Sequence, residues 1–211
     1  FQKFNSPFIP QNISYTQNLQ FVTPNQPIPE FRIIDLEGNV TAPQYDNINK
    51  DLLLKIYDTM VYLEEMDSFL LMSQRQGKIS FYATSFGESA ATIASAAAFK
   101  DEDLVFPQYR EQGTLLWRGF TVQQFVDQCI GNIRDLGKGR QMPVHYGSKE
   151  LNYMTISSPL ATQISQAAGA GYGYRVSGQD KVAVTFFGEG AASEGDFYAG
   201  LNFAATLRCQ T

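Results

Sequence analysis

Three groups of side chains in this sequence have types and spacings that could do chemistry. The first is Gly188-Glu189-Gly190, a carboxylate between two glycines directly after an apolar run. The glycines let the backbone take positive φ and let a ligand come close. A carboxylate in an anion site repels phosphate unless a hard cation lies between them, so Mg²⁺ on a diphosphate is the ligand this pattern suggests. Gly-x-Gly after a strand is also common in α/β proteins that bind nothing there, and the triplet alone leaves both readings open. The second group is Gln108-Tyr109-Arg110, whose guanidinium is shaped for bidentate phosphate binding and would equally serve a structural ion pair with Glu111. The third is Ser157-Ser158-Pro159-Leu160-Ala161-Thr162-Gln163, where four oxygen-bearing side chains crowd a predicted helix start. They suit capping, or a monovalent or hard cation held by oxygen. His145 is the only histidine, so any imidazole chemistry from this chain must use it; a hydrogen-bonded structural role is the plainer alternative. Cys129 lacks an electropositive neighbour and reads as a small buried residue.

These groups need elements to position them. Val182–Phe187 is a continuous β-branched and aromatic run, the pattern of a strand buried on both faces of a parallel sheet. After the glycines, Ser193 fits an N-cap with Asp196 in capping-box spacing, and Phe197, Leu201, Ala204 and Ala205 fall on one helical face. Asp103–Arg110 reads as a short strand that ends at the arginine. Ser158 with Pro159 after it predicts the start of another helix. That helix contains Gly169, Gly171 and Gly173, which cost stability and call for a close helix contact, expected from a second chain. Leu52, Leu53, Ile56, Tyr57, Met60, Leu63, Met66 and Leu70 predict a long core-packing helix from Asn49 to the stop at Gly77. An Ala-rich helix opens at Gly87-Glu88-Ser89 and runs to Phe99, and Thr121 caps a helix over 122–130. Helices alternating with strands predict an α/β fold, a mostly parallel sheet with helices on both faces.

Residues 1–48 differ, holding six of the nine prolines and twelve Asn and Gln residues. They are too apolar for a free tail, with Phe1, Phe4, Phe8, Ile9, Tyr15, Leu19, Phe21 and Val22, and Phe31–Asp35 before Glu37-Gly38-Asn39 suggests a strand and a turn. The expectation is an extended arm lying on its own or a partner subunit. A net charge of -5 with dispersed basic residues argues against nucleic acid, and no apolar run approaches membrane-span length. Two cysteines are too few for a disulfide framework, and no secretory signal opens the chain.

Taken together, Ser80-Phe81-Tyr82, Gln108–Glu111, Gly137–Gly147, Ile156–Gln163 and Gly188–Asp196 closely resemble the alpha subunits of branched-chain 2-oxo acid dehydrogenase decarboxylase components. The resemblance covers residue 30 onward and is weaker in the arm. It implies a thiamine diphosphate-binding fold, with residues 49–211 as the N-terminal part of that domain. It also implies decarboxylation of a branched-chain 2-oxo acid and transfer of the acyl group to the lipoyl arm of a partner acyltransferase. By matching motif, Tyr109 and Arg110 contact the diphosphate, Glu189 ligates Mg²⁺, and Gly190 and Ala191 lie at the cofactor. Ser158 and Leu160 lie near the thiazolium and aminopyrimidine. Ser157, the carbonyl of Pro159, Thr162 and Gln163 form a potassium site, and Phe81 and Leu160 line an apolar substrate pocket. The resemblance further implies a beta subunit in an α2β2 heterotetramer and a mitochondrial matrix location, cytoplasmic in bacteria. The wider thiamine motif usually has Asp where this chain has Glu189, and its closing Asn pair lies beyond Thr211. No catalytic residue is therefore expected within these residues, and the chain alone is expected to be inactive. A pyruvate or acetoin enzyme would share the diphosphate motif, and a non-catalytic phosphate-binding assembly subunit is the alternative outside the enzymes.

Overall fold

A computed structural model describes residues 29–45 and 47–211. The chain divides into two units, Phe1–Asn47 and Ile48–Thr211. In the first, the apolar arm positions from Phe1 to Val22 lie outside the described residues. The strand expected over 31–35 reduces to a single antiparallel bridge between Ile34 and Val40. Its turn is fixed by Asp35, whose Oδ1 accepts the N–H groups of Glu37 and Asn39 at 3.0 and 2.8 Å, with Gly38 at φ +89°. A short 3-10 turn, Pro43–Tyr45, follows.

The second unit opens with α1, Lys50–Arg75, capped by Asn49, whose side chain accepts from the N–H groups of Asp51 and Leu52. Of its predicted apolar face, Leu63, Met66 and Leu70 are buried and the N-terminal members are half-buried or exposed. Gly77 follows at φ +74°, a left-handed exit that favours glycine. Next come α2, Ser89–Ala98, and β1, Leu104–Phe106. After these come α3, Gln112–Trp117, and α4, Val122–Ile130. Helix α4 has the predicted cap: Thr121 and Gln124 exchange hydrogen bonds as a full capping box, and Gly131 ends it in left-handed geometry. Cys129 is buried, as predicted. Burial pushes its thiol pKa up, which suits packing and not nucleophilic chemistry.

Helix α5 spans Thr162–Ser177, β2 Ala183–Thr185, α6 Glu189–Ala192 and α7 Gly195–Thr206. The two strands pair in parallel, Leu104 against Ala183 through Phe106 against Thr185. Side chains alternate across the strand: Val105 enters the main core with Leu63, Ile93, Leu115 and Phe125, whereas Leu104 and Phe106 pack with Ala167, Ala170 and Tyr174 of α5. Both faces of the sheet are thus covered, and the predicted α/β architecture is observed.

Several local expectations are corrected. The strand predicted over 182–187 is three residues long, with Val182 and Phe187 exposed. Its partner β1 stops at Phe106 because the next N–H on the β2 side, that of Gln108, donates to the Glu111 carboxylate, and the Phe186 carbonyl takes Gln163 Nε2 instead. Ser193 does not cap α7; it closes α6 by donating its N–H to the Gly190 carbonyl, and extended Glu194 precedes α7. On α7 the contact stripe is Phe197, Gly200 and Ala204, with Leu201 and Ala205 exposed. A Cβ at Gly200 would lie 2.7 Å from Ile164 Cγ2, so the two helices meet through that glycine. Ser158 and Pro159 do not open α5 either. The buried residue before Thr162 is Ala161 at φ +66°, and this left-handed residue turns the chain out of the helical path. The close contact expected at the helix glycines comes at Gly171 from this chain's own Gln210 and Thr211, while Gly169 and Gly173 have open space.

Candidate functional site

Parallel pairing puts the carboxyl ends of β1 and β2 side by side, the position where open α/β sheets hold ligands. From β1 the chain continues through Gln108-Tyr109-Arg110-Glu111, and from β2 through Phe187-Gly188-Glu189. These two connections line one cleft of about 250 Å³, with Glu88 completing its wall beside Tyr109, Arg110, Glu111 and Gly188. Two of the three sequence groups are therefore neighbours.

Arg110 does not form the ion pair with Glu111 that its sequence position offered. Its Nη1 donates to the Thr84 carbonyl at 2.6 Å, its Nε stands 4.0 Å from Glu88 Oε1, and its guanidinium lies 5.3 Å from the Tyr109 ring centre. Glu111 instead turns its carboxylate back to accept the Gln108 N–H. Burial, with a smaller push from the charge of Glu88, raises the Glu111 pKa to about 7 against the opposing Gln108 N–H and Arg110. Near neutrality this carboxyl is in part protonated, which lessens the negative charge facing an incoming anion. Glu189 is exposed, one residue beyond Gly188, as the first residue of α6.

The third group packs against the same turn. Leu160 faces Gly190, where an added Cβ would stand 3.8 Å from Leu160 Cδ1, and Ala161, Ile164 and Ala191 form a small apolar cluster with Leu160 and Phe197 beside it. Gln163 donates its Nε2 to the Phe186 carbonyl at 2.8 Å, tying the start of α5 to the end of β2. Thr162 Oγ1 lies 3.2 Å from the Pro159 carbonyl and 3.4 Å from Ser157 Oγ, so these three oxygens share one small volume. Among the described residues no three His, Cys, Asp or Glu side chains cluster to hold a metal. A divalent ion here would rest on Glu189 with other oxygens, and a monovalent one on hydroxyl and carbonyl oxygens.

His145 proves to be part of this group. It is buried, its Nδ1 is 3.0 Å from the Pro143 carbonyl and its Nε2 2.6 Å from Ser158 Oγ. The carbonyl can only accept, so the Nδ1–H donates to it, and in the neutral ring Nε2 accepts the Ser158 hydroxyl. From sequence the histidine stands alone, without this partner. The link was hidden because nothing local pairs a loop histidine with a serine past the intervening turns. Phe81 is 39% exposed, and neither it nor Leu160 lines the cleft. A larger cavity of about 510 Å³ has His145, Gln128 and Tyr153 in its wall and none of the sequence-predicted ligand residues.

The family model for the dehydrogenase E1 component matches residues 57–211. The chain belongs to this family. Among curated proteins, the E1 component chain is 52% identical over 198 residues to the 2-oxoisovalerate dehydrogenase subunit alpha, mitochondrial, of Homo sapiens, covering 92% of this chain and 44% of that protein. It is 51% identical over 199 residues to 2-oxoisovalerate dehydrogenase subunit alpha 1, mitochondrial, of Arabidopsis thaliana, covering 92% and 42%. The Dictyostelium discoideum subunit alpha is 50% identical over 202 residues, covering 95% and 46%. The chain thus spans less than half the length of these relatives. An E1 component implies thiamine diphosphate, and the residues present fit it: an arginine with free donor capacity faces Gly188, where no atom lies within 4 Å of an added Cβ.

Proposed function

We propose that this chain is the cofactor-anchoring part of the alpha subunit of a branched-chain 2-oxo acid dehydrogenase. The subunit would work in oxidative decarboxylation with acyl transfer to a lipoyl-bearing acyltransferase. The observation that carries the reading is the shared cleft of Arg110 and Gly188 at the carboxyl ends of two paired parallel strands. The names of the relatives, 2-oxoisovalerate dehydrogenase subunit alpha, favour a branched aliphatic substrate, and their mitochondrial designation favours the matrix.

In this reading Tyr109 and Arg110 hold the diphosphate, and Glu189 ligates Mg²⁺ with Gly190 and Ala191 at the cofactor. Ser157, the Pro159 carbonyl, Thr162 and Gln163 take K⁺ and hold their loop against β2. Ser158 and Leu160 reach toward the reactive rings, with the Ser158 hydroxyl oriented by His145. Phe81 and Leu160 form the acyl pocket, completed by groups outside the Arg110 cleft. Thiamine diphosphate supplies the carbanion chemistry when bound, and the protein supplies position, charge and exclusion of water. A beta subunit completes the site in an α2β2 assembly.

Calorimetric titration of thiamine diphosphate with Mg²⁺ into the full-length subunit coexpressed with its beta partner tests this. Binding that requires Mg²⁺ and is abolished by Glu189→Ala is the expected result. Equal binding by both proteins would make Glu189 a turn residue only. Competition between branched 2-oxo acids and pyruvate on the same complex tests the substrate class.

A further inference from the structure

Asp67 lies on α1, outside the cleft lining, and is completely buried, with no lysine or arginine pairing with it among the described residues. A buried carboxylate is costly unless its lone pairs are satisfied. Here four donors meet it: Tyr82 Oη at 2.6 Å and Gln112 Nε2 at 3.1 Å on Oδ1, and the Ser85 N–H and Oγ at 2.6 and 2.7 Å on Oδ2. Three of the four come from the irregular segment between α1 and α2. Gln112 makes a second bond there, from Nε2 to the Ala83 carbonyl at 3.1 Å.

The segment Tyr82–Ser85 is thereby fixed on both sides of Thr84. Its outward product is the Thr84 carbonyl, which accepts Arg110 Nη1. Gln112, two residues after Arg110, anchors the backbone that carries the arginine to the same carboxylate. Both the acceptor that directs the guanidinium and the chain that bears it are keyed to one buried group.

We propose that Asp67 is a positioning residue for anion binding, setting the direction of Arg110 through Tyr82, Ser85, the Thr84 carbonyl and Gln112. The inference rests on the reading of Arg110 as the diphosphate ligand. A core residue that served only packing would lower stability without acting through the arginine.

A double-mutant cycle separates these. In the full-length subunit with its beta partner, Asp67→Asn, Arg110→Gln and the double variant are titrated with inorganic pyrophosphate and with thiamine diphosphate and Mg²⁺, and thermal unfolding is followed in parallel. Asp67→Asn keeps the shape while presenting an amide to the Ser85 donors. It is expected to weaken both ligands about tenfold in the native background and to have no further effect on affinity beside Arg110→Gln, while lowering the unfolding midpoint equally in both. Unchanged affinity, or the same loss with and without Arg110, overturns the proposal. If Arg110→Gln itself leaves pyrophosphate binding intact, the diphosphate reading fails first, and the proposal with it. Should Asp67→Asn not fold, Ser85→Ala removes one donor more gently. The same cycle then applies, with an expected loss of about threefold that vanishes in the Arg110→Gln background.

Discussion

The connections that leave the carboxyl ends of β1 and β2 are built on different plans. After β1, Pro107 and Glu111 through Leu115 are buried, Arg110 is bonded to Thr84, and the Glu111 carbonyl accepts the Tyr153 hydroxyl at 3.2 Å. After β2, Phe187, Gly188, Glu189 and Gly190 are exposed, and the ties include one amide from Gln163, the edge-on Phe187–Phe197 ring pair at 5.0 Å, and buried Ala191. The group suited to holding an anion takes its geometry from the buried core. The group suited to holding a cation takes it from a neighbouring loop. The first should respond strongly to substitution, in either direction, and the second weakly.

The largest effect expected from this contrast is electrostatic. Because burial raises the Glu111 pKa to about 7 from an ordinary 4.5, the fold binds its proton more tightly than the unfolded chain does. Its contribution to stability is most favourable below about pH 4.5, is lost as pH rises toward 7, and is constant above that. Glu111→Gln should therefore stabilise the protein at pH 8 by up to about 3 kcal/mol, with the gain gone at pH 4.5. Urea denaturation followed by Trp117, the single tryptophan, reads this directly, and an equal gain at both pH values would contradict it. Next is Gly113, where a Cβ would stand 2.7 Å from Thr92 Oγ1 and 3.0 Å from atoms of Ile93 and Leu63. Gly113→Ala should destabilise by about 1–3 kcal/mol in the same assay through overpacking. The smallest effect belongs to the exposed turn. Gly190→Ala meets only Leu160 at ordinary contact distance, and should change stability by less than about 0.5 kcal/mol. A loss comparable to that of Gly113→Ala would show that the turn is as tightly built as the arginine loop and would end the contrast.

The same division explains what could be read from the sequence. The Thr121 cap of α4 was legible because its hydrogen-bond partner, Gln124, lies within one helical turn. The covered parallel sheet was legible from its apolar runs, and the family from motifs that recur in order across the matched residues. Ser158 and Ser193 satisfy the local rules for an N-cap and are overruled, one by left-handed Ala161 and the other by the separate turn of α6. The length of β2 was set by side chains that take the next ladder groups, Glu111 the Gln108 N–H and Gln163 the Phe186 carbonyl, which no inspection of 182–187 reveals. Arg110 stood undecided between a phosphate and Glu111 because its acceptor, Thr84, lies in a segment whose conformation depends on Asp67. Local chemistry identified the groups, and distant hydrogen bonds decided their use.

The buried Asp67 network also has a place in time. Every group that aims Arg110 lies between Asp67 and Gln112, so all of them have left the ribosome long before β2 is made. N-terminal segments emerge first, and contacts close in sequence form fastest. The arginine's surroundings can thus be assembled on the nascent chain while the turn bearing Glu189 is still untranslated, and the later turn arrives beside an arginine loop already in shape.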